Sequence, residues 1–215
     1  VPPGRPVAPH QIRRSIDFAL AAALAARGRR GDAVEALRDD PALLREAISR
    51  HLDGCDVLVL SGGVSLGQFE HLPRIMDELG VETVFHRICQ KPGRPMWYGL
   101  QRQRCTAVFA LPGNPVSSLV CLVRFVLPAL DHALGAPPPA REHVRLAEGV
   151  TFRPALTWHL PVHVESTQDG GTIARPKPTN TSGDFASLAG TTGFVELPAD
   201  EIDFPEGYVA PLSRW

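Results

Sequence analysis

Three short stretches combine groups that can hold an anion with a backbone that lets one approach. "DVLVLSGGVSLG" runs an apolar segment into Ser61, Gly62, Gly63, Val64 and Ser65, and on to Gly67. Its glycines allow a tight turn and close backbone approach, and free N–H groups in such a loop ahead of a helix form an anion site. The same glycine pair also suits an ordinary turn. "QKPGRP" sets Lys91 against Pro92 and Gly93, with Arg94 three residues on and Arg87 four before. Lys91 and Lys177 are the only lysines among 22 Lys and Arg residues. A compact ammonium suits a phosphate or oxyanion and a guanidinium grips one bidentately, although a solvated turn has the same composition. "LPGNPVSS" places Pro112, Gly113, Asn114 and Pro115 between an apolar run and a long apolar-periodic segment, with Ser117 and Ser118 following. The prolines fix φ on either side of Gly113 and Asn114, and Pro115 falls near the first helical position. Hydroxyls and free N–H groups of that first turn suit an anion. Asn114 as a helix cap accounts for the Asn and the Pro, but not for the Pro-Gly ahead of them.

These loops need elements to carry them. From "QIRRSIDFALAAALAARG" onward, helical periods alternate with short β-branched runs. The pattern predicts a helix to Gly28, a short strand near "GDAVEAL", a helix over "PALLREAISRHL", a strand over "DVLVL" and a helix over "EHLPRIMDELG". Strands over "ETVFHRI", "MWYGL" and "CTAVFAL" follow, and then the helix after Pro115. Such alternation predicts an α/β domain with a mostly parallel sheet flanked by helices, spanning residues 1–136. Ligands of open α/β sheets bind beyond the carboxyl ends of the strands, where these loops lie. "GAPPPAR" suits a stiff linker. Beyond it helices vanish, and "HLPVHVES", "GTIARPKP", "GFVELP" and "YVAPL" predict a small all-β barrel or sandwich over residues 141–215.

The 215 residues carry a net charge of −1 and are 44% hydrophobic, an ordinary globular composition that excludes a dedicated nucleic-acid binder. "RGRRGD" reads as a solvated basic turn. Arg or His interrupts every apolar run before the roughly 18 residues a membrane span needs, so no membrane association is expected. Cys55, Cys89, Cys105 and Cys121 show no metal-ligand spacing and are expected to be buried free thiols, which suits a reducing cytosol. His86, His159 and His163 lie in strand-like runs and read as structural, and Trp158 and Trp215 read as barrel core. The chain opens on "VPPGRPVAPH", without a Met or a signal segment.

"SGGVSLG", "KPGRP" and "LPGNPVSS", in this order and at this separation, resemble the molybdopterin-binding domain of the MoeA/gephyrin molybdopterin molybdenumtransferases. "TSGDFASLAGTTGFVELP" resembles the family's small C-terminal barrel. The resemblance covers nearly the whole chain. It implies insertion of molybdenum from molybdate into the dithiolene of adenylylated molybdopterin, with release of AMP and help from Mg²⁺. It also implies a homodimer. A non-catalytic molybdopterin carrier and a CinA-like α/β domain acting on nucleotides are the alternative readings, and a peptide-holding role like that of gephyrin stays open.

Transferred position by position, the acidic residue of the family's "DDP" motif falls on Asp39, because Asp40 ahead of Pro41 suits an N-cap. The acidic residue after the glycine loop falls on Glu70, where the family usually has Asp. Both acids are implied to hold Mg²⁺ or orient molybdate, since hard cations take carboxylate and water oxygens. The family's two lysines fall on Arg87 and Lys91, its two bend prolines on Pro112 and Pro115, and its barrel serine on Ser182, which also suits a polar turn. Of the family's "DSN" only Ser15 remains, and Ile16 replaces an amide that could both donate and accept. Full-length members carry two further domains, and their first sheet strand precedes the stretch that "VPPGRPVAPHQI" resembles. The expectation is therefore a sheet short of one strand.

Overall fold

The computed structural model describes the chain except for residues 12, 30, 32, 65–70, 180 and 182. The described residues divide into two compact units, Val1–Ile88 with Pro95–Asn114, and Cys89–Arg94 with Pro115–Trp215.

In the first unit, helix α1 covers Ile16–Ala26 and α2 covers Pro41–Leu52. Asp40 caps α2, its Oδ1 accepting from the N–H groups of Ala42 and Leu43 at 2.9 and 3.0 Å, and Pro41 fills the first position, where no donor is needed. Strand β1 (Val57–Ser61), helix α3 (Leu72–Glu78) and strand β2 (Glu82–His86) follow. Two residues of the second unit, Gln90–Lys91, form β3. Strands β4 (Trp97–Gln101) and β5 (Thr106–Leu111) complete the first unit's sheet, in the order β1-β5-β4-β2.

Only β1 and β5 are parallel; β5 with β4 and β4 with β2 are antiparallel. The sheet is therefore mixed, which corrects the mostly parallel arrangement predicted. The cause is local: residues 102–105 alone join β4 to β5, whereas a parallel crossover needs about a dozen residues. The strand expected over "GDAVEAL" is likewise absent. Its described residues have no regular structure, and Val34 is 65% exposed, so there is neither a ladder partner nor a face to bury. Ile48 and Leu52 of α2 and Ile75 and Met76 of α3 form a core with Leu58, Trp97, Val108 and Ala110 of the sheet. Tyr98, at odd register to Trp97, instead meets Phe85 and Phe109, with ring centroids 5.5 and 4.7 Å away.

The second unit opens with α4 (Pro115–Cys121), a π-helical turn (Leu122–Val126) and α5 (Leu127–Ala133). Pro128 lacks the N–H that an α-helix would offer to Arg124, which accounts for the slip in hydrogen bonding one turn earlier. Contrary to the expectation that charge breaks every apolar run, Pro115–Ala133 is long and apolar enough to cross a membrane. Of its most apolar window 56% is buried inside the protein, as in a core helix.

Strands β6 (Glu142–Leu146), β7 (Val150–Thr151), β8 (Thr157–Ser166), β9 (Thr172–Pro176), β10 (Gly193–Leu197), β11 (Asp203–Phe204) and β12 (Val209–Arg214) form the β-rich part. Their order is β10-β12-β6-β9-β8, and β8 also pairs with β10, so five strands close into a barrel-like sheet. Closure removes the free edges that an open sheet would expose. Strand β3 pairs in parallel with the start of β8. Val144, Leu146, Leu160, Val162, Val195 and Leu197 are among the residues filling the interior. Trp158 stacks on Phe152 with centroids 4.6 Å apart, and Trp215 Nε1 donates to Thr191 Oγ1 at 2.8 Å. One short 3₁₀ helix, Phe185–Leu188 with Asp184 at its N-cap, interrupts the region where no helix was expected. All four cysteines are free, but only Cys121 is buried; Cys89 and Cys105 are exposed, correcting the reading of buried thiols.

Candidate anion-binding loops

In the first unit, the parallel pairing of β1 with β5 sets Ser61 opposite Leu111, so both strands end at one level and their loops leave together. Gly62 and Gly63 have φ of 91° and 69°, conformations that side chains resist. The Gly62 N–H donates to Leu111 O at 3.0 Å, and a Cβ on Gly113 would lie 3.5 Å from Gly62 Cα. The "SGGV" loop is thus bonded to the end of β5 through Gly62, and the "LPGN" loop passes close by at Gly113. Gly62 contributes close approach rather than a free donor. Val64 is buried, and its carbonyl accepts from His86 Nε2 at 3.2 Å, so His86 braces the loop as a structural residue. Pro112 is buried, whereas Gly113 and Asn114 are exposed.

Arg87 leaves β2 at φ 76°, a strained conformation for a non-glycine residue, with its N–H donating to Met96 O at 2.8 Å. Its side chain is exposed. Asp39 is exposed, next to the capping Asp40. Ser15 stands at the N-cap of α1 without a side-chain capping bond. Ser65, Gly67, Glu70 and Ser182 lie outside the described residues.

In the second unit, β3 leads into a turn through a cis Lys91–Pro92 bond and Gly93 at φ 97°. Gln90 and Lys91 pair with Thr157 and Trp158 of β8, and Thr157 N donates to Cys89 O at 3.0 Å. Lys91 and Arg94 are exposed, and Lys91 Nζ sits 5.6 Å above the Phe152 ring, a cation–π contact. Pro115 is the first residue of α4, but Ser117 and Ser118 are 3% and 0% exposed, so their hydroxyls face the interior and not solvent. Gln90 and His159, each 2% exposed, are buried behind the turn. Burial pushes His159 down to about 4, although the nearby Glu196 carboxylate acts the other way. Burial pushes the Cys121 thiol up to about 12. His159 was legible as a structural residue; the buried Gln90 beside it was not, since nothing in "QKPGRP" distinguishes a buried glutamine from a solvated one.

Among the described residues no group of three or more His, Cys, Asp or Glu side chains could hold a metal ion. An exposed carboxylate such as Asp39 does suit Mg²⁺, which keeps most of its water and takes one or two carboxylates with substrate phosphates.

A mixed sheet whose parallel strand pair ends in two glycine-bearing loops, followed in the same chain by a five-stranded barrel-like sheet, defines an α/β protein with an appended β domain. The probable molybdopterin binding domain family matches residues 3–132, and the MoeA C-terminal region (domain IV) matches residues 143–213. The chain therefore belongs to the molybdopterin-binding domain family, in its MoeA branch. A molybdopterin molybdenumtransferase from Synechocystis sp. is 38% identical over 210 residues, covering 96% of this chain and 50% of that one. Molybdopterin molybdenumtransferase 2 of Mycobacterium tuberculosis is 32% identical over 229 residues, covering 99% and 53%. The crystal structure of the molybdopterin biosynthesis MoeA protein from Pyrococcus horikosii aligns with a TM-score of 0.80 at 31% identity, over 100% of this chain and 51% of that one. The chain spans about half the length of the curated relatives it matches.

Proposed function

We propose that the chain acts in molybdenum cofactor biosynthesis as part of a molybdopterin molybdenumtransferase, inserting molybdenum from molybdate into adenylylated molybdopterin with release of AMP. The observation that carries this reading is the common carboxyl end of the parallel strands β1 and β5, where Ser61 pairs with Leu111 and both glycine-bearing loops leave. Ligands of open α/β sheets bind at such strand ends, and the chain is of a molybdopterin-binding family. In this reading residues 1–136 bind the pterin and residues 141–215 form the barrel domain; the matched spans support that division.

In the first unit, backbone N–H groups of the 61–65 loop and of Gly113 and Asn114, between Pro112 and Pro115, serve as phosphate contacts; in the second, Lys91 and Arg94 do. Arg87 adds positive charge. Asp39 and Glu70 orient molybdate or a hydrated Mg²⁺, which when bound neutralises phosphate charge. No nucleophilic side chain is needed, because positioning and charge neutralisation support cleavage of a phosphoanhydride. Ser15, Gly67 and Ser182 complete the ligand contacts; Ser117, buried with its hydroxyl inward, is not among them. The protein works in the cytoplasm, as a homodimer.

The test is equilibrium binding of adenylylated molybdopterin, with AMP and NAD as competitors, and molybdate-dependent AMP release from the same samples. Binding with release is expected. Binding without release would leave a carrier, and preference for NAD over the pterin would overturn the reading in favour of a nucleotide-acting domain.

A further inference from the structure

Behind the Lys91 turn, Gln90 is bonded on every side. Its Nε2 donates to Pro92 O at 3.0 Å and to Cys121 Sγ at 3.5 Å, and its Oε1 lies 3.2 Å from His159 Nε2. Cys121 Sγ donates to Gly93 O, 3.7 Å away. One donor order satisfies all of these contacts. His159 Nε2–H gives to Gln90 Oε1, Gln90 gives one N–H to Pro92 O and one to Cys121 Sγ, and the Cys121 thiol gives to Gly93 O. The order requires the Nε2–H tautomer of His159. It leaves Nδ1 a bare acceptor, and Nδ1 is indeed buried without a partner.

The space is equally determined, since a Cβ on Gly93 would lie 2.5 Å from Gln90 Nε2 and 2.6 Å from Cys121 Sγ. Ladder pairing with β8 secures Gln90 and Lys91, while the side-chain relay secures Pro92 and Gly93. Apart from His159 Nδ1, the polar side-chain atoms of this network are paired, and breaking the order would strand more of them away from water.

We propose that Gln90 is a positioning residue: through Pro92, Cys121 and His159 it holds the 91–94 turn so that Lys91 and Arg94 meet the anionic part of the ligand in one arrangement. The role in binding rests on the functional reading above; the relay itself rests on geometry alone. Burial keeps His159 and Cys121 neutral at physiological pH, which preserves the donor order.

The test uses the whole chain with Gln90→Met, which removes the polar contacts, and Gln90→Glu, which keeps the acceptor and loses both donors. ¹⁵N NMR of the wild type should show His159 as the neutral Nε2–H tautomer at neutral pH. The amide signals of Lys91, Gly93 and Arg94 should shift in both variants while those of β12 stay in place. Affinity for adenylylated molybdopterin should fall about tenfold in each variant, and no further when Lys91→Ala is added. An Nδ1–H tautomer, or unmoved turn signals in a folded variant, overturns the relay whether or not ligand binds. Unchanged affinity, or losses that add to that of Lys91→Ala, overturns the positioning role. Failure of the wild type to bind overturns the functional reading and the role with it, while the tautomer and amide signals still decide the relay. Should both Gln90 variants unfold, Cys121→Ala removes the donor to Gly93 O and the acceptor of one Gln90 N–H while leaving the Gln90 bonds to Pro92 O and His159, with the same affinity loss and non-additivity expected.

Discussion

Arg124 Nε lies 2.7 Å from Glu196 Oε2, joining the π-helical turn to β10 directly across the β8 ladder from His159. Burial pushes the Glu196 carboxyl up, but the Arg124 guanidinium, together with His159 and Arg141, outweighs this and holds it below its ordinary value. Two neighbours therefore titrate in different windows, which makes their contributions separable.

The pH dependence of stability should show His159 first. Its folded value of about 4 lies below the ordinary 6.5, so between these values the unfolded chain binds the extra proton. Its contribution is complete above pH 6.5 and is lost as pH falls toward 4, by about 3 kcal/mol. Glu196 adds a further loss only below its ordinary 4.5. Urea unfolding across this range should show the upper slope, and His159→Phe should flatten it while leaving the lower one.

Gly93 is doubly constrained, by a φ of 97° and by the crowding of Gln90 and Cys121. Gly93→Ala should destabilise the protein by roughly 2–4 kcal/mol, combining backbone strain with overpacking. Gly135, also at positive φ but with open space around its Cβ position, serves as the control. Gly135→Ala should cost only the strain, and equal losses at the two sites in chemical denaturation would contradict the role given to crowding.

Lys91 presents an exposed ammonium over the Phe152 ring. Lys91→Ala should weaken binding of adenylylated molybdopterin about tenfold, roughly 1.4 kcal/mol, as loss of a charge-assisted contact does. Calorimetric titration would measure it, and an unchanged affinity would remove Lys91 from the site. Thermal stability should barely move.

Arg87 occupies the left-handed region at φ 76°. Arg87→Val should destabilise by about 1–2 kcal/mol, because a β-branched residue resists that conformation, whereas Arg87→Asn should preserve stability. Both remove the charge. If the guanidinium contributes to binding, both variants lose affinity equally although only one loses stability.

Much of the architecture was legible because it is written in local periodicity. Asp40 and Pro41 mark the start of α2 by cap chemistry that needs no tertiary information. "DVLVL" and "CTAVFAL" read as strands, and their loops as the chemistry-bearing ones, since glycine and proline restrict a backbone wherever they stand. The family, too, was legible in three short motifs.

Strand order was not. The four residues between β4 and β5 do require an antiparallel pair, but the order β1-β5-β4-β2 depends on which edges meet, and "GDAVEAL" has a strand's composition but no neighbour to pair with among its described residues. Burial was equally hidden in the exposed Cys89 and Cys105, the buried Ser117 and the buried Gln90, because a side chain's surroundings are supplied by residues distant in the chain. Gln90 meets His159 only because a two-residue strand joins the start of β8, 67 positions later by the Gln90–Thr157 pairing. Sequence alone determined the helices, the strand-forming runs and the loop chemistry, through dihedral limits acting residue by residue. Tertiary structure decided strand order, which polar groups lost their water and which thereby had to bond one another.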